Sequence, residues 1–324
     1  MKKNIAIIMG GYSSEYKISL TSGNVVYQNL DKVKYNAYRI HIFKDKWVYV
    51  DDKDQEFAID KNDFSVTIDN NKITFDCVFN AIHGSPGEDG YMQGYFKLLN
   101  LPHTSCGMYQ AAVTFNKRDC LSILKPYGIL TAESYYLNLG DCVNEEDIIA
   151  KVGLPCFVKA NKAGSSFGIT KVHKKEDLQQ AIDHAFKEDD EIIIESFLDG
   201  IEVSVGVITY KGETKVLPIT EIVSENDFFD YEAKYLGKSQ EITPARLTKV
   251  QEDKVNTVAK KVYEILKMTG FSRSEYIFKN NEPHLLEMNT IPGLTNASIL
   301  PQQAQVAGIS MSDLFSNAIE EALK

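Results

Sequence analysis

The sequence predicts an α/β protein in three domains: an open parallel-sheet domain over 1–103, a small α+β unit over 104–199 and a second α+β unit over 200–324. Three observations carry this reading. Residues 4–9 form a continuous β-branched run of the kind a buried parallel strand shows, and GGYSSEYKISLTSG then opens a helix. Two strand-like runs, 156–159 and 169–173, flank the small-residue loop KAGSSFG at 162–168. Near the C-terminus, 276–279 and 284–288 are apolar alternating runs separated by Asn280, Asn281, Glu282 and Pro283, the pattern of a hairpin.

At 324 residues and 44% hydrophobic, the chain can bury two or three cores. A formal charge of -10 argues against a nucleic-acid partner, because affinity for a phosphate backbone comes from Lys and Arg. Five cysteines at wide spacings, with no CxxC pair, fit reduced thiols and a cytoplasmic location. The apolar run 5–9 behind two lysines is too short for an export signal, and no stretch approaches the roughly 18 apolar residues of a membrane span.

Taken in order, Ser13 or Ser14 caps the first helix, with Glu15 in its first turn. There Glu15 either complements the helix dipole, for about 0.3–1 kcal/mol, or holds an ammonium group at the mouth of the sheet. A later strand, 76–82, ends in HGSPGEDG, a tight loop at a strand's carboxyl end, where open α/β sheets place ligands. His83 in that loop is a ligand contact or, as for most lone histidines, a satisfied loop residue. Lys117 begins a helix to about 127, where Pro126 and Gly128 break it. The loop 162–168 leaves backbone N–H groups free to close over phosphates as a flap, although it lacks P-loop spacing. Lys117 and Lys159 are candidate phosphate contacts. Strand 191–195 runs into Phe197, Leu198 and Gly200, an exit that can hold an adenine, and Glu202 lies within reach of a ribose. After strands 202–210 and 215–222, residues 224–245 are polar, aromatic-rich and without periodicity, which reads as an active-site lid. An amphipathic helix over 250–268 precedes the hairpin.

In that hairpin, Arg273 shares a face with Glu275, and Glu287 with Asn289. An odd-numbered loop opposes Glu275 to Glu287; an even one sends them to opposite faces. Two acids and an amide oxygen are hard ligands suited to Mg2+ that shares its remaining positions with phosphates. Gly293 follows in a turn, where it can bring a bare backbone N–H to a reacting centre.

Together GGYSSEYKISLTSG, HGSPGEDGYMQG, KAGSSFG, FFDYEAKY and EMNTIPGLTNAS stand in the order and at the spacings of the D-alanine:D-alanine ligases, so the chain resembles that family of ATP-grasp enzymes from end to end. The resemblance implies a three-domain ATP-grasp fold, with ATP between the last two domains and two Mg2+ ions for which Mn2+ can substitute. It implies ligation of two D-alanine molecules through an acyl phosphate for peptidoglycan, and it suggests a homodimer. By the same resemblance Glu15 holds the first substrate's ammonium group, with Ile18 and His83 completing the pocket. Lys117, Lys159 and Ser166 contact ATP phosphates, and Ser165 connects to Glu15 and Tyr235. Glu195, Phe197, Leu198 and Glu202 take adenine and ribose, with Lys234 approaching from the lid. Glu275, Glu287 and Asn289 hold the metal, Arg273 and the Gly293 amide neutralise the oxyanion, and Ser298 contacts the second substrate's carboxylate. Tyr235 favours an amine acceptor over D-lactate.

Three positions depart from the family pattern. Glu275 stands where Asp is usual, Asn116 where Asp precedes the lysine, and Ala160 where Pro is common. Two rivals remain at the level of sequence: another ATP-grasp carboxylate–amine ligase with a different amino acid, and a nucleotide-binding regulatory protein that has lost catalysis. Glu15, His83, Tyr235 and Ser298 speak against the first, and retention of Arg273, Glu287, Asn289 and Gly293 against the second.

Overall fold

Three β-sheets follow one another along the chain in the computed structural model, which describes residues 2–164, 168–224 and 239–324. The first has seven strands in the order β6-β5-β4-β3-β2-β1-β7. β1 (Lys3–Gly10) is fully buried from Ile5 onwards and feeds α1 (Tyr16–Asn29). It pairs in parallel with β2 (Tyr35–Ile42) on one side and β7 (Cys77–Asn80) on the other, the arrangement its unbroken apolar run requires. An antiparallel meander then widens the sheet: β3 (Trp47–Val50), β4 (Glu56–Asp60), β5 (Ser65–Ile68) and β6 (Asn71–Ile73). Three helices follow, α2 (Tyr91–Leu98), α3 (Met108–Phe115) and α4 (Lys117–Leu124), and a 3-10 turn at Lys125–Tyr127 completes the break expected at Pro126.

The second sheet is antiparallel, in the order β10-β9-β11-β8. β8 (Ser134–Asn138) leads to α5 (Glu145–Val152), then β9 (Cys156–Ala160), β10 (Thr170–Val172), α6 (Leu178–Ala185) and β11 (Glu191–Ser196). One face of it carries Val158, Ile192 and Ile194 into a core closed by Ile148 and Leu178 of the two helices. Alternation turns Phe157, Lys159, Ile193 and Glu195 to the other face.

The third sheet is built on β12 (Ile201–Tyr210), which pairs with β13 (Glu213–Val216), β14 (Thr220–Ser224) and β16 (Phe271–Lys279). The expected single strand over 215–222 is thus two strands, parted at Pro218. β15 (Ser239–Ile242) pairs antiparallel with β14, so the expected lid over 224–245 ends in sheet, with 225–238 outside the described residues. α7 (Lys249–Ile265) starts in a complete capping box made by Thr248 and Gln251. It packs on this sheet, and β16 then turns into β17 (Glu282–Asn289). Two helices end the chain, α8 (Ile299–Val306) and α9 (Met311–Ala322). α9 returns to the first sheet: Phe315 and Ile319 join Ile5, Ile7, Met9 and Phe79 in one core that also contains Ile208, Phe271 and Leu300. All five cysteines are unpaired, as their spacing suggests.

Candidate active site

Glu275 and Glu287 face each other across the β16–β17 ladder, with Arg273 opposite Asn289. The route to this register is not the odd loop that sequence alone calls for. The turn is Asn280 and Asn281, both at positive φ (53° and 61°), an even two-residue hairpin turn in which Lys279 pairs with Glu282. A β-bulge next to Tyr276 makes Leu286 the extra residue and restores the odd count. It also lets Leu285 and Met288 both enter the core while Glu287 and Asn289 line a cavity.

Two opposed carboxylates repel by roughly 0.2–1 kcal/mol in a ladder. Cations answer them here. Arg273 bonds Glu275 from two residues away on the same strand and donates to Ser204 Oγ at 3.1 Å. Lys117 Nζ lies 3.2 Å from Glu287 Oε2 and donates to the Ala163 carbonyl at 2.8 Å. Lys117 is the first residue of α4, whose cap is Asn116: its Oδ1 accepts from Asp119 N at 3.0 Å and from Asn161 Nδ2 at 2.9 Å. Among the described residues no three His, Cys, Asp or Glu side chains gather into a metal-binding group. The candidate set is instead two carboxylates and the Asn289 amide oxygen. That oxygen accepts from Ile291 N at 2.9 Å and keeps a second lone pair. Three hard oxygens of this kind fit Mg2+ that retains water and shares phosphates.

The cavity measures about 130 Å³, roughly the liquid volume of four waters. It is lined by Glu15, Ile18 and His83 from the N-terminal unit together with Lys117, Arg273, Glu287, Asn289 and Gly293 from the rest of the chain. Glu15 is itself the helix cap residue of α1 and not a first-turn residue. Ser13 Oγ accepts from Glu15 N at 3.3 Å and donates to the His83 carbonyl at 3.1 Å, tying the two loops together. Gly164, at the near end of the flap, lies so close that a side chain there would meet the Glu15 carboxylate at 2.8 Å. A side chain on Gly293 would meet Ser298 Oγ at 2.6 Å, so glycine is needed where the backbone passes Ser298. Ser298 in turn bonds Thr295 through both backbone and hydroxyl, at 3.2 and 2.9 Å.

His83 is buried with both ring nitrogens engaged, Nδ1 with the Ile291 carbonyl at 2.7 Å and Nε2 with Ser22 Oγ at 2.9 Å. Burial lowers its pKa against the opposing pull of Glu15, so the ring is neutral. Glu88 is a site residue that the sequence reading passed over. It sits buried in the HGSPGEDG loop, accepting from Gly84 N at 2.9 Å and from Ile291 N at 3.4 Å. Burial first, then Glu15, pushes its carboxyl up to about 7 against those backbone donors.

Across the cleft, Lys159 and Glu195 form a buried ion pair at 2.7 Å. Burial disfavours the Lys159 ammonium, but Glu195, Glu287 and Glu202 outweigh it and hold its pKa above the ordinary lysine value. The second Glu195 oxygen, Oε1, is buried and has no hydrogen-bond partner among the described residues, which leaves it able to accept from a donor such as an exocyclic amine. Phe197 lies beside Phe157, ring centroids 6.2 Å apart, with Lys171 Nζ 4.4 Å above its ring, and Leu198 is buried. Ser165, Ser166, Lys234 and Tyr235 lie outside the described residues.

Two family models match this chain: "D-ala D-ala ligase N-terminus" over residues 4–106 and "D-ala D-ala ligase C-terminus" over 123–320. The chain is 73% identical over 321 residues to the D-alanine–D-alanine ligase of Flavobacterium johnsoniae, covering 99% of both chains. Among solved structures it is similar to the VanG D-Ala:D-Ser ligase from Enterococcus faecalis (TM-score 0.87, 31% identity, 99% of this chain and 100% of that one). It is also similar to the D-alanine–D-alanine ligase from Bacillus anthracis complexed with ATP (TM-score 0.79, 29% identity, 99% and 97%).

Proposed function

The chain belongs to the D-alanine–D-alanine ligase family, and from that premise we propose that it joins two D-alanine molecules into the dipeptide for peptidoglycan, cleaving ATP to ADP and phosphate. The observation that carries this reading is the cavity lined by Glu15, Arg273, Glu287, Asn289 and Gly293, with Glu275 opposite Glu287 in the ladder beside it. Segments 1–103, 104–199 and 200–324 act as substrate, small and C-terminal domains, with ATP between the last two.

In the first step a carboxylate oxygen of one D-alanine attacks the γ-phosphorus of ATP, forming an acyl phosphate and releasing ADP. Glu15 holds that substrate's ammonium group, beside Ile18 and His83. Lys117 and Lys159 hold phosphates, with Ser166 of the flap, while Glu195, Phe197, Leu198, Glu202 and Lys234 take adenine and ribose. Mg2+, as two ions for which Mn2+ would substitute, would be held by Glu275, Glu287 and Asn289 and would neutralise charge on the transferring phosphoryl group. In the second step the free amine of another D-alanine attacks the acyl carbon. Arg273 and the Gly293 amide receive the oxyanion, Ser298 orients the incoming carboxylate, and phosphate leaves as the carbonyl re-forms. Closure by Ser165 and Tyr235 over Glu15 would keep water from the acyl phosphate.

No helix among the described residues is long and apolar enough to cross a membrane. We assign the enzyme to the cytoplasm, where ATP is available, and as a homodimer, which sedimentation would check. The decisive measurement is phosphate release from ATP with D-alanine, L-alanine or no amino acid, and with D-serine as competing acceptor. Release is expected with D-alanine alone among the first three; equal rates in those three would remove the assignment, and preferred use of D-serine would redirect it to the other acceptor.

A further inference from the structure

The turn that carries Gly293 belongs to the C-terminal unit, yet it is held from the N-terminal one. The Ile291 carbonyl can only accept, so the His83 Nδ1 beside it at 2.7 Å carries the hydrogen. Nε2 of a neutral ring is then bare, and the Ser22 hydroxyl 2.9 Å away must donate to it. That leaves the lone pairs of Ser22 Oγ for the Leu294 N–H, which points at it from 3.4 Å. One serine and one histidine therefore grip the turn at both ends, at the carbonyl of residue 291 and the amide of residue 294, with Gly293 between them. Ser22 is completely buried and His83 nearly so, so both bonds lie away from bulk solvent. Glu88 adds a third hold at the Ile291 amide.

We propose that Ser22 is a positioning residue for ligation: through His83 and directly, it aims the Gly293 amide at the oxyanion of the tetrahedral intermediate. This rests on the reading of Gly293 as an oxyanion donor. Ser22 itself touches no substrate; its place is on the inward face of α1, with Ser19, Gly23 and Val26.

Two substitutions separate hydrogen bonding from packing. Ser22→Ala removes the hydroxyl and leaves a small void, and Ser22→Cys fills the site with a somewhat larger group that is only a weak donor and acceptor. Both are expected to lower kcat about 10-fold, since a displaced oxyanion donor costs less than the 10²–10³ of a lost one. The KM for ATP should stay within about twofold, and a phosphinate analogue of the tetrahedral intermediate should bind about 10-fold more weakly. Amide hydrogen exchange at Leu294 should speed up about 10-fold in both variants, a readout that does not depend on the reaction. A Ser22→Cys enzyme with wild-type kcat would reduce the residue to packing, and unchanged exchange at Leu294 would remove the clamp itself. Failure of the wild-type enzyme to turn over D-alanine, with exchange at Leu294 accelerated as expected, would instead strike the functional reading and leave the clamp standing.

Discussion

Phe79 of the first sheet packs edge-on against Phe271 and Phe315 of the C-terminal unit, at centroid distances of 6.4 and 5.5 Å, whereas Val158, Ile192 and Ile194 of the four-stranded sheet pack only under that sheet's own helices. The two walls of the cleft are thus built on different terms. On the wall that carries Glu15 and Gly293, strands separated by some 200 residues share one core, and polar bonds from Ser22, His83 and Glu88 cross the same seam. On the wall that carries Lys159 and Glu195, the small sheet has a core of its own and reaches the neighbouring cluster through Ile193 and half-buried Tyr136. Shared cores resist relative movement, while separately cored units joined by a modest contact shift readily. An acyl phosphate would demand fixed donors and nucleotide exchange an opening, so each wall would suit the task proposed for it.

Gly293→Ala tests the fixed wall most severely. The added methyl must displace Ser298 Oγ from 2.6 Å, and kcat/KM is expected to fall about 10²-fold, with part of the loss recovered in Gly293→Ala/Ser298→Ala. A single variant with wild-type kcat/KM would mean that the turn yields freely and that the wall is not fixed.

Glu88 sharpens the same contrast through pH. Its folded value of about 7 lies above the usual carboxyl value of 4.5, so between those limits the folded chain holds a proton that the unfolded chain releases. Stability from this group is complete below the lower value and is lost as pH rises through the upper one. Thermal melts from pH 5 to 8 should show a fall on the order of 2 kcal/mol that Glu88→Gln flattens. Parallel profiles for the two proteins would show that Glu88 is not the group responsible.

Glu195→Gln probes the movable wall and carries the smallest expected effect. It replaces the carboxylate that pairs with the buried Lys159 at 2.7 Å by a neutral amide, and the KM for ATP should rise about 10-fold while the KM for D-alanine stays within about twofold. Equal rises in both constants would mean that the two walls respond as one body.

How far these walls could be read from sequence follows from which contacts are local. The hairpin face is legible because alternation places Arg273 with Glu275 and Glu287 with Asn289 whatever the turn does. Its register is not, because the two-residue turn and the bulge at Leu286 cancel each other and only their sum reaches the site. Glu88 was hidden for a different reason: in HGSPGEDG it reads as a solvated loop acid, and the segment that buries it lies 200 residues further on. Ser22 gave a fainter local sign, a hydroxyl on the i, i+3, i+4, i+7 stripe that α1 buries. The capping of α1 turned on one residue, since Ser13 tethers Glu15 and His83 instead of beginning the helix.

The return of α9 to the first sheet also sets an order of events on the ribosome. Strand β1 emerges long before Phe315 and Ile319, which join α1 in covering one of its faces and are translated roughly 300 residues later. At about 5–20 residues per second, the roughly 300 residues between them take some 15–60 s, during which that apolar face lacks the part of its cover that α9 supplies. Nascent chains stalled before Met311 should therefore bind an apolar dye that the released protein excludes, and equal binding by both would show that some other segment shelters the strand in the meantime.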